Sequence, residues 1–108
     1  MATSSDSPPA GGPDFLAHRE GDLVAVAVRD ISPGPARGAI LATDADLAAD
    51  VRDNVPLGHK FALADIAAGA PIIEYGVQVG VAVEAISAGA YVHTHNMRSA
   101  RWQNSVAN

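Results

Sequence analysis

The stretch DIAAGAPIIEYG, residues 65–76, combines a tight turn with a short extended run and indicates how the chain folds. Its first half places an aliphatic residue, Ile66, three positions before Gly69. This spacing predicts a turn in which the aliphatic side chain enters the core and glycine supplies a positive φ that other residues resist. The second half predicts a short strand that ends at Glu74, where a second turn begins.

The same turn unit occurs four times, as DISPG (30–34), NVPLG (54–58), DIAAG (65–69) and AISAG (85–89). The irregular spacing of the four glycines argues against a solenoid. We therefore predict a mainly β domain in which short strands are folded back by tight glycine turns. One or two of the Asp-Ile units could instead form a short helical turn with aspartate as its N-cap.

Two longer segments support the β prediction. Alternation in DLVAVAVRDI (22–31) predicts a strand whose buried face carries Val24, Val26 and Val28. The segment ATDADLAADVRDNVPLGHKFAL (42–63) fits either a helical turn or polar strands ending at the turn 56–58. We favour strands there, because the rest of the pattern is β.

The composition suits one small domain. The chain has 108 residues, of which 48% are hydrophobic and 5% aromatic, so small aliphatic residues must build the core. We predict a disordered tail at 1–13, a domain at 14–102 and a flexible tail at 103–108. A net charge of −5 argues against a nucleic-acid surface, and the absence of cysteine excludes a disulfide. Without an apolar run of membrane-spanning length or a signal peptide, we expect a cytoplasmic protein.

The segment HTHN (93–96) is the sharpest chemical signal. In a strand, His93 and His95 would face the same side with their Cα atoms about 6.5 Å apart. Two such imidazoles can converge on one metal ion or one anion, but further metal ligands would have to come from elsewhere, including another chain. The alternative is an unliganded pair on a sheet face.

Other candidates are more ambiguous. His59 and Lys60 either contact a substrate or are, respectively, a half-buried histidine bonded to backbone and a solvated charge. Glu74 is a rim charge, a general base or a metal ligand. Near the C-terminus, Arg98 and Arg101 suit carboxylate or phosphate groups, or they belong to a solvated arm with Trp102 as a hydrophobic pin.

Taken together, GHKFAL, DIAAG, IIEYG and HTHN resemble the SAF domain of the altronate/galactarate dehydratase family, from about Phe15 to Trp102. The resemblance implies a β-clip fold. It also implies a lyase that eliminates water from a sugar acid such as altronate or galactarate, or sulfite from (2R)-sulfolactate. At Glu74 the chain departs from relatives, which often carry lysine there.

The form of the chain resembles a free-standing small subunit, as in sulfolactate sulfo-lyases, and we expect it to be inactive without a large catalytic subunit. A divalent metal, iron in the first instance, would be held mainly by that subunit. The resemblance implies these roles: catalysis or metal ligation for His93 and His95; contacts with an anionic carboxylic-acid substrate for Asn96, Arg98, Lys60 and His59; and subunit contacts for Arg101 and Trp102. The alternative is a non-catalytic module that stabilises a large partner or binds a small acid. A homo-oligomer of the chain alone is also compatible with the sequence.

Overall fold

A computed structural model describes residues 12–99 of the chain. Within this range the chain forms nine β-strands and no helix, which confirms the mainly β prediction. The strands are β1 (Phe15–Ala17), β2 (Val24–Ala27), β3 (Gly34–Ile40), β4 (Ala45–Val51), β5 (Lys60–Ala62), β6 (Pro71–Glu74), β7 (Val77–Ala82), β8 (Tyr91–Val92) and β9 (Met97–Ser99). The predicted tails, apart from residues 12 and 13, lie outside the described residues, as do Arg101 and Trp102.

The strands form two sheets. One sheet has six strands in the order β4-β3-β1-β2-β5-β8, and the other has three in the order β6-β7-β9. The segment 42–63 supplies β4 and β5, so the strand interpretation of that segment is confirmed. β4 pairs along its whole length with β3 through a hairpin.

The four predicted turns are present. The glycines that close them all have positive φ, namely Gly34 (137°), Gly58 (86°), Gly69 (83°) and Gly89 (88°). The aliphatic residues three positions earlier are all buried, namely Ile31, Val55, Ile66 and Ile86. The local pattern therefore predicted both the backbone conformation and the buried anchor of each turn.

The turns associate in pairs that the sequence did not reveal. Ile31 bridges to Val55, and Ile66 bridges to Ile86. In each pair the aspartate of the first unit accepts a hydrogen bond from a backbone N–H of the second turn: Asp30 Oδ1 from Leu57 at 2.9 Å, and Asp65 Oδ1 from Ala88 at 2.8 Å. These aspartates therefore link two turns, and the helical N-cap alternative is wrong.

The core is divided into two clusters by β2. Ala25 and Ala27 pack in a cluster with Phe15 and Phe61, whose rings meet edge-to-face at 5.0 Å, whereas Val24 belongs to a second cluster around Ile72. Both faces of β2 are therefore covered. The predicted valine face is wrong at its end, because Val28 lies beyond the strand and is 38% exposed.

Two equivalent turn glycines allow a matched test of this packing. A Cβ at Gly89 would overlap the backbone carbonyl of Asp50, whereas a Cβ at Gly69, at nearly the same φ, would meet nothing within 4 Å. We expect Gly69→Ala to cost about 1–2 kcal/mol for the left-handed backbone alone. Gly89→Ala should cost about 1–2 kcal/mol more, because it also overpacks the site. Urea unfolding of the two variants measures the difference, and equal losses would contradict the packing described.

Candidate functional site

The HTHN segment forms a turn between β8 and β9. The backbone N–H groups of Asn96 and Met97 both donate to the carbonyl of His93, at 3.1 and 2.9 Å. The strand predicted through this segment is therefore wrong beyond Val92, and the strand spacing of His93 and His95 does not apply. Both histidines are exposed on the turn.

Asn96 holds this turn from inside. Its side chain is buried, with Oδ1 accepting from the His93 N–H at 2.9 Å and Nδ2 donating to the Tyr91 carbonyl at 2.8 Å. Asparagine commonly ends a strand in this way, because its amide replaces a backbone partner. The geometry gives Asn96 a structural role in presenting the histidines, and its contact with a substrate stays a prediction.

Three histidines gather around Tyr91, and we call His59, Tyr91, His93 and His95 the Tyr91 cluster. The His93 ring stacks on the Tyr91 ring, with centroids 5.4 Å apart and an interplanar angle of 12°. The His59 ring lies 5.2 Å from that of His93 and 5.7 Å from that of Tyr91, while the His95 ring lies 5.9 Å from Tyr91. The fold therefore brings His59 beside the HTHN histidines.

The sequence offered, as one alternative, a half-buried His59 bonded to backbone. In the structure the His59 side chain bonds to the side chain of Tyr91 instead. Its Nδ1 lies 2.6 Å from the Tyr91 hydroxyl. Tyr91 was not among the residues singled out from the sequence, although it alternates with His93 and His95 there. In the structure it lies opposite Phe61 in the β5–β8 pair.

A second polar group, the Glu74 cluster, comprises His18, Lys60, Glu74 and Tyr75. Lys60 Nζ lies 3.5 Å from Glu74 Oε1, and His18 Nε2 lies 3.8 Å from Glu74 Oε2. The interpretation of Glu74 as a rim charge is wrong, because the residue is 7% exposed and ion-paired. Lys60 is likewise half-buried and paired, not a freely solvated charge. A buried carboxylate requires such partners to stay charged.

Tyr75 forms the exposed side of the Glu74 cluster. Its ring stacks on the His18 ring at 4.6 Å and lies under the Arg19 guanidinium, 5.1 Å from the ring centroid. With φ values of 60° and 71°, Tyr75 and Gly76 form the tight turn of the β6–β7 hairpin. Nothing in the local sequence around His18 or Arg19 marks them as neighbours of this hairpin, since the contact is tertiary.

Asp22 fixes the position of that hairpin. Its buried carboxylate accepts hydrogen bonds from four backbone N–H groups, those of His18 (3.2 Å), Arg19 (3.3 Å), Tyr75 (2.9 Å) and Gly76 (3.3 Å). The side chain therefore joins the turn after β1 to the β6–β7 turn. Sequence reasoning missed Asp22, because half of its partners are more than fifty positions away.

The two clusters meet at the start of β5. His59 and Lys60 are consecutive, and successive side chains along an extended chain point to opposite faces. His59 accordingly joins Tyr91 on one face, whereas Lys60 joins Glu74 on the other. Arg98 is exposed in β9 opposite Val81 of β7, and the structure places it in the smaller sheet.

The described residues do not form a metal site by themselves. In residues 12–99 no group of three or more histidines, aspartates or glutamates is arranged to hold a metal ion. A metal bound by His93 or His95 would therefore need ligands beyond this part of the chain. The same range contains no helix long and apolar enough to cross a membrane.

The sequence of the chain matches the family described as the altronate/galactarate dehydratase SAF domain over residues 13–100. It is 36% identical over 91 residues to the (2R)-sulfolactate sulfo-lyase subunit alpha of Chromohalobacter salexigens, covering 82% of this chain and 97% of that protein. It is 45% identical over 78 residues to the altronate dehydratase of Escherichia coli, covering 72% of this chain and 15% of that enzyme. The sulfo-lyase subunit alpha of Paracoccus pantotrophus is 33% identical over 63 residues, which span 58% of this chain and 94% of that subunit.

This chain therefore belongs to the altronate/galactarate dehydratase SAF-domain family, as the sequence motifs predicted. It spans nearly the whole of the sulfo-lyase alpha subunits but a small part of the altronate dehydratase. The relatives named are all lyases or subunits of lyases. The designation of the sulfo-lyase chains as subunit alpha implies a further subunit in those enzymes.

Proposed function

We propose that this chain is the small subunit of a cytoplasmic, hetero-oligomeric lyase that eliminates water or sulfite from a hydroxy carboxylic acid. The observation that carries the proposal is the match over 97% of a sulfo-lyase alpha subunit. The Tyr91 cluster supports it, because His93 and His95 are exposed on a turn outside the core, where a second chain can reach them. The site would then be completed by a large partner subunit.

The chemistry of such an elimination fits what the cluster offers. The reaction needs a base at the α-carbon, help for the leaving group and neutralisation of a carboxylate on which charge grows. Imidazole groups can hold an anionic oxygen or move a proton. Lys60 lies on the opposite face of the chain, where it pairs with Glu74. His93 and His95 are the residues that we assign to catalysis, with His59 as a substrate contact; the predicted contact of Lys60 would require a substrate that also reaches the opposite face.

A divalent metal, iron in the first instance, is part of the proposal. His93 and His95 suit such an ion as neutral imidazole ligands, but the described residues supply no third ligand. The remaining ligands would come from the large subunit. When bound, the metal would supply Lewis-acid stabilisation of the substrate carboxylate.

Co-expression with the large subunit tests the proposal directly. We expect the purified pair, but not this chain alone, to release sulfite from (2R)-sulfolactate or to form a 2-keto acid from altronate. Measuring both products on the same preparation identifies the leaving group. A pair that binds stably yet turns over neither substrate would overturn the assignment.

A non-catalytic assembly role is the second candidate, and the Glu74 cluster favours it. Tyr75 is 56% exposed and Val77, at the start of β7, is 59% exposed, so this hairpin offers an apolar surface. Truncating the chain after Asn96 would remove the predicted subunit contacts Arg101 and Trp102. It would also remove β9 from the smaller sheet, so it cannot separate a loss of assembly from a loss of folding. Tyr75→Ser is sharper: if assembly is the main role, it should weaken binding of the large subunit, whereas His93→Ala should leave turnover intact.

A further inference from the structure

The side chains of Tyr91 and His59 share a hydrogen bond whose direction depends on the tautomer of His59. The distance from Tyr91 Oη to His59 Nδ1 is 2.6 Å. A phenol hydroxyl is a stronger hydrogen-bond donor than the N–H of a neutral imidazole, and the imidazole lone pair is a stronger acceptor than the phenol oxygen. The chemistry of the two groups therefore favours the tyrosine hydroxyl as the donor and Nδ1 as the acceptor, the direction that the proposal below adopts.

This direction determines what the other ring nitrogen can do. A neutral imidazole carries its single hydrogen on one nitrogen and a lone pair on the other. With the Nδ1 lone pair occupied by Tyr91, the hydrogen lies on Nε2. His59 then offers an N–H donor at Nε2, which suits an anionic oxygen and not a metal ion.

Both residues are held at the backbone as well as through their side chains. The His59 N–H donates to the carbonyl of Pro56 at 2.9 Å, and its carbonyl accepts from Ala27 at 2.8 Å. The Tyr91 N–H donates to Asp53 Oδ2 at 2.9 Å, and its carbonyl accepts from Asn96. A pair anchored at four backbone groups keeps its donor in place before any ligand arrives, which is the condition for preorganised binding.

We propose that Tyr91 is a positioning residue that fixes His59 as an N–H donor to a carboxylate or sulfonate oxygen of the substrate, beside His93. The proposal rests on the lyase function proposed above for the same site. It separates the roles of the histidines, because His59 binds an oxyanion whereas His93 and His95 remain free for catalysis or metal ligation.

The tautomer of His59 can be read without a partner subunit. Two-bond ¹H–¹⁵N correlation spectra of the full chain at neutral pH should show His59 with its hydrogen on Nε2. Tyr91→Phe keeps the ring that stacks on His93 but removes the hydroxyl, so it should release His59 into a mixture of tautomers. Tyr75→Phe, which alters the tyrosine stacked on His18, is the matched control and should leave His59 unchanged. Finding the hydrogen on Nδ1 in the unmodified chain would overturn the proposal.

Kinetics of the reconstituted pair test the consequence. We expect Tyr91→Phe to raise KM about tenfold while kcat changes less than twofold, since a binding contact has been weakened. In a His59→Gln background, whose side-chain amide is always a donor, Tyr91→Phe should have no further effect on KM. Equal effects of Tyr91→Phe in both backgrounds would contradict coupling of the two residues. If the unmodified subunits were inactive together, the lyase function would be contradicted. If they were active but His59 carried its hydrogen on Nδ1, only the role of Tyr91 would be contradicted.

Discussion

Replacing both His93 and His95 by alanine should lower kcat of the reconstituted lyase by about 10²–10⁴-fold, the range that proton-transfer groups contribute. The two imidazoles are the exposed, chemically competent members of the Tyr91 cluster. Their loss should leave the fold intact, because the turn is held by Asn96 and not by the histidines. Turnover of sulfolactate and altronate by the co-purified pair is the measurement.

The control must separate a chemical loss from a local structural one. Glu84→Ala serves this purpose, since Glu84 is exposed and follows Val83, whose N–H donates to the Asn96 carbonyl at 3.0 Å. We expect this variant to keep its turnover and the double histidine variant to keep its thermal midpoint. Near-normal turnover of the double variant would remove His93 and His95 from catalysis and favour the assembly role.

The two histidines should also differ when replaced singly. The His93 ring stacks on the Tyr91 ring and lies 5.2 Å from the His59 ring. The His95 ring is near the Tyr91 ring but not near that of His59, and it is tilted by 38°. Loss of His93 therefore disturbs the substrate-binding side of the cluster as well as the chemistry. Comparing kcat with KM for the single variants resolves this difference.

The turn units show what local sequence can predict. An aliphatic residue three positions before a glycine was enough to predict buried Ile31, Val55, Ile66 and Ile86, because both the anchor and the positive φ are properties of a few adjacent residues. The pairing of these turns through Asp30 and Asp65 could not be predicted, since it depends on which turns meet in space.

The candidate site shows the corresponding limit. HTHN has the alternation of a strand, yet a single side chain, that of Asn96, closes it into a turn by bonding inside the segment. Glu74 has the sequence context of a surface turn, but Lys60 reaches it from β5 and His18 from the turn after β1, and together they cover it. The chemistry-bearing residues were therefore recognisable by type, whereas their conformation and partners depended on tertiary contacts.

Replacing Asp22 by alanine should destabilise the domain by roughly 3–5 kcal/mol, a large share of the 5–15 kcal/mol typical of a native protein. The change leaves four backbone N–H groups of two separate turns without their acceptor. Asp30→Ala is the matched control, because Asp30 is exposed and accepts from Leu57; we expect it to cost about 1 kcal/mol. Urea unfolding followed by circular dichroism compares the two.

Asp22→Asn distinguishes lost hydrogen bonds from lost packing. The amide keeps the shape of the side chain, but its nitrogen can only donate. With the amide oxygen in the place of Oδ2, the bonds from His18, Arg19 and Tyr75 are kept and the one from the Gly76 N–H is lost. We therefore expect a loss between those of Asp30→Ala and Asp22→Ala, together with faster hydrogen exchange at the β6–β7 turn. If Asp22→Asn were as stable as the unmodified chain, the carboxylate would not be what joins the two turns, and the Glu74 cluster would owe its position to the packing of Ile72 beneath it.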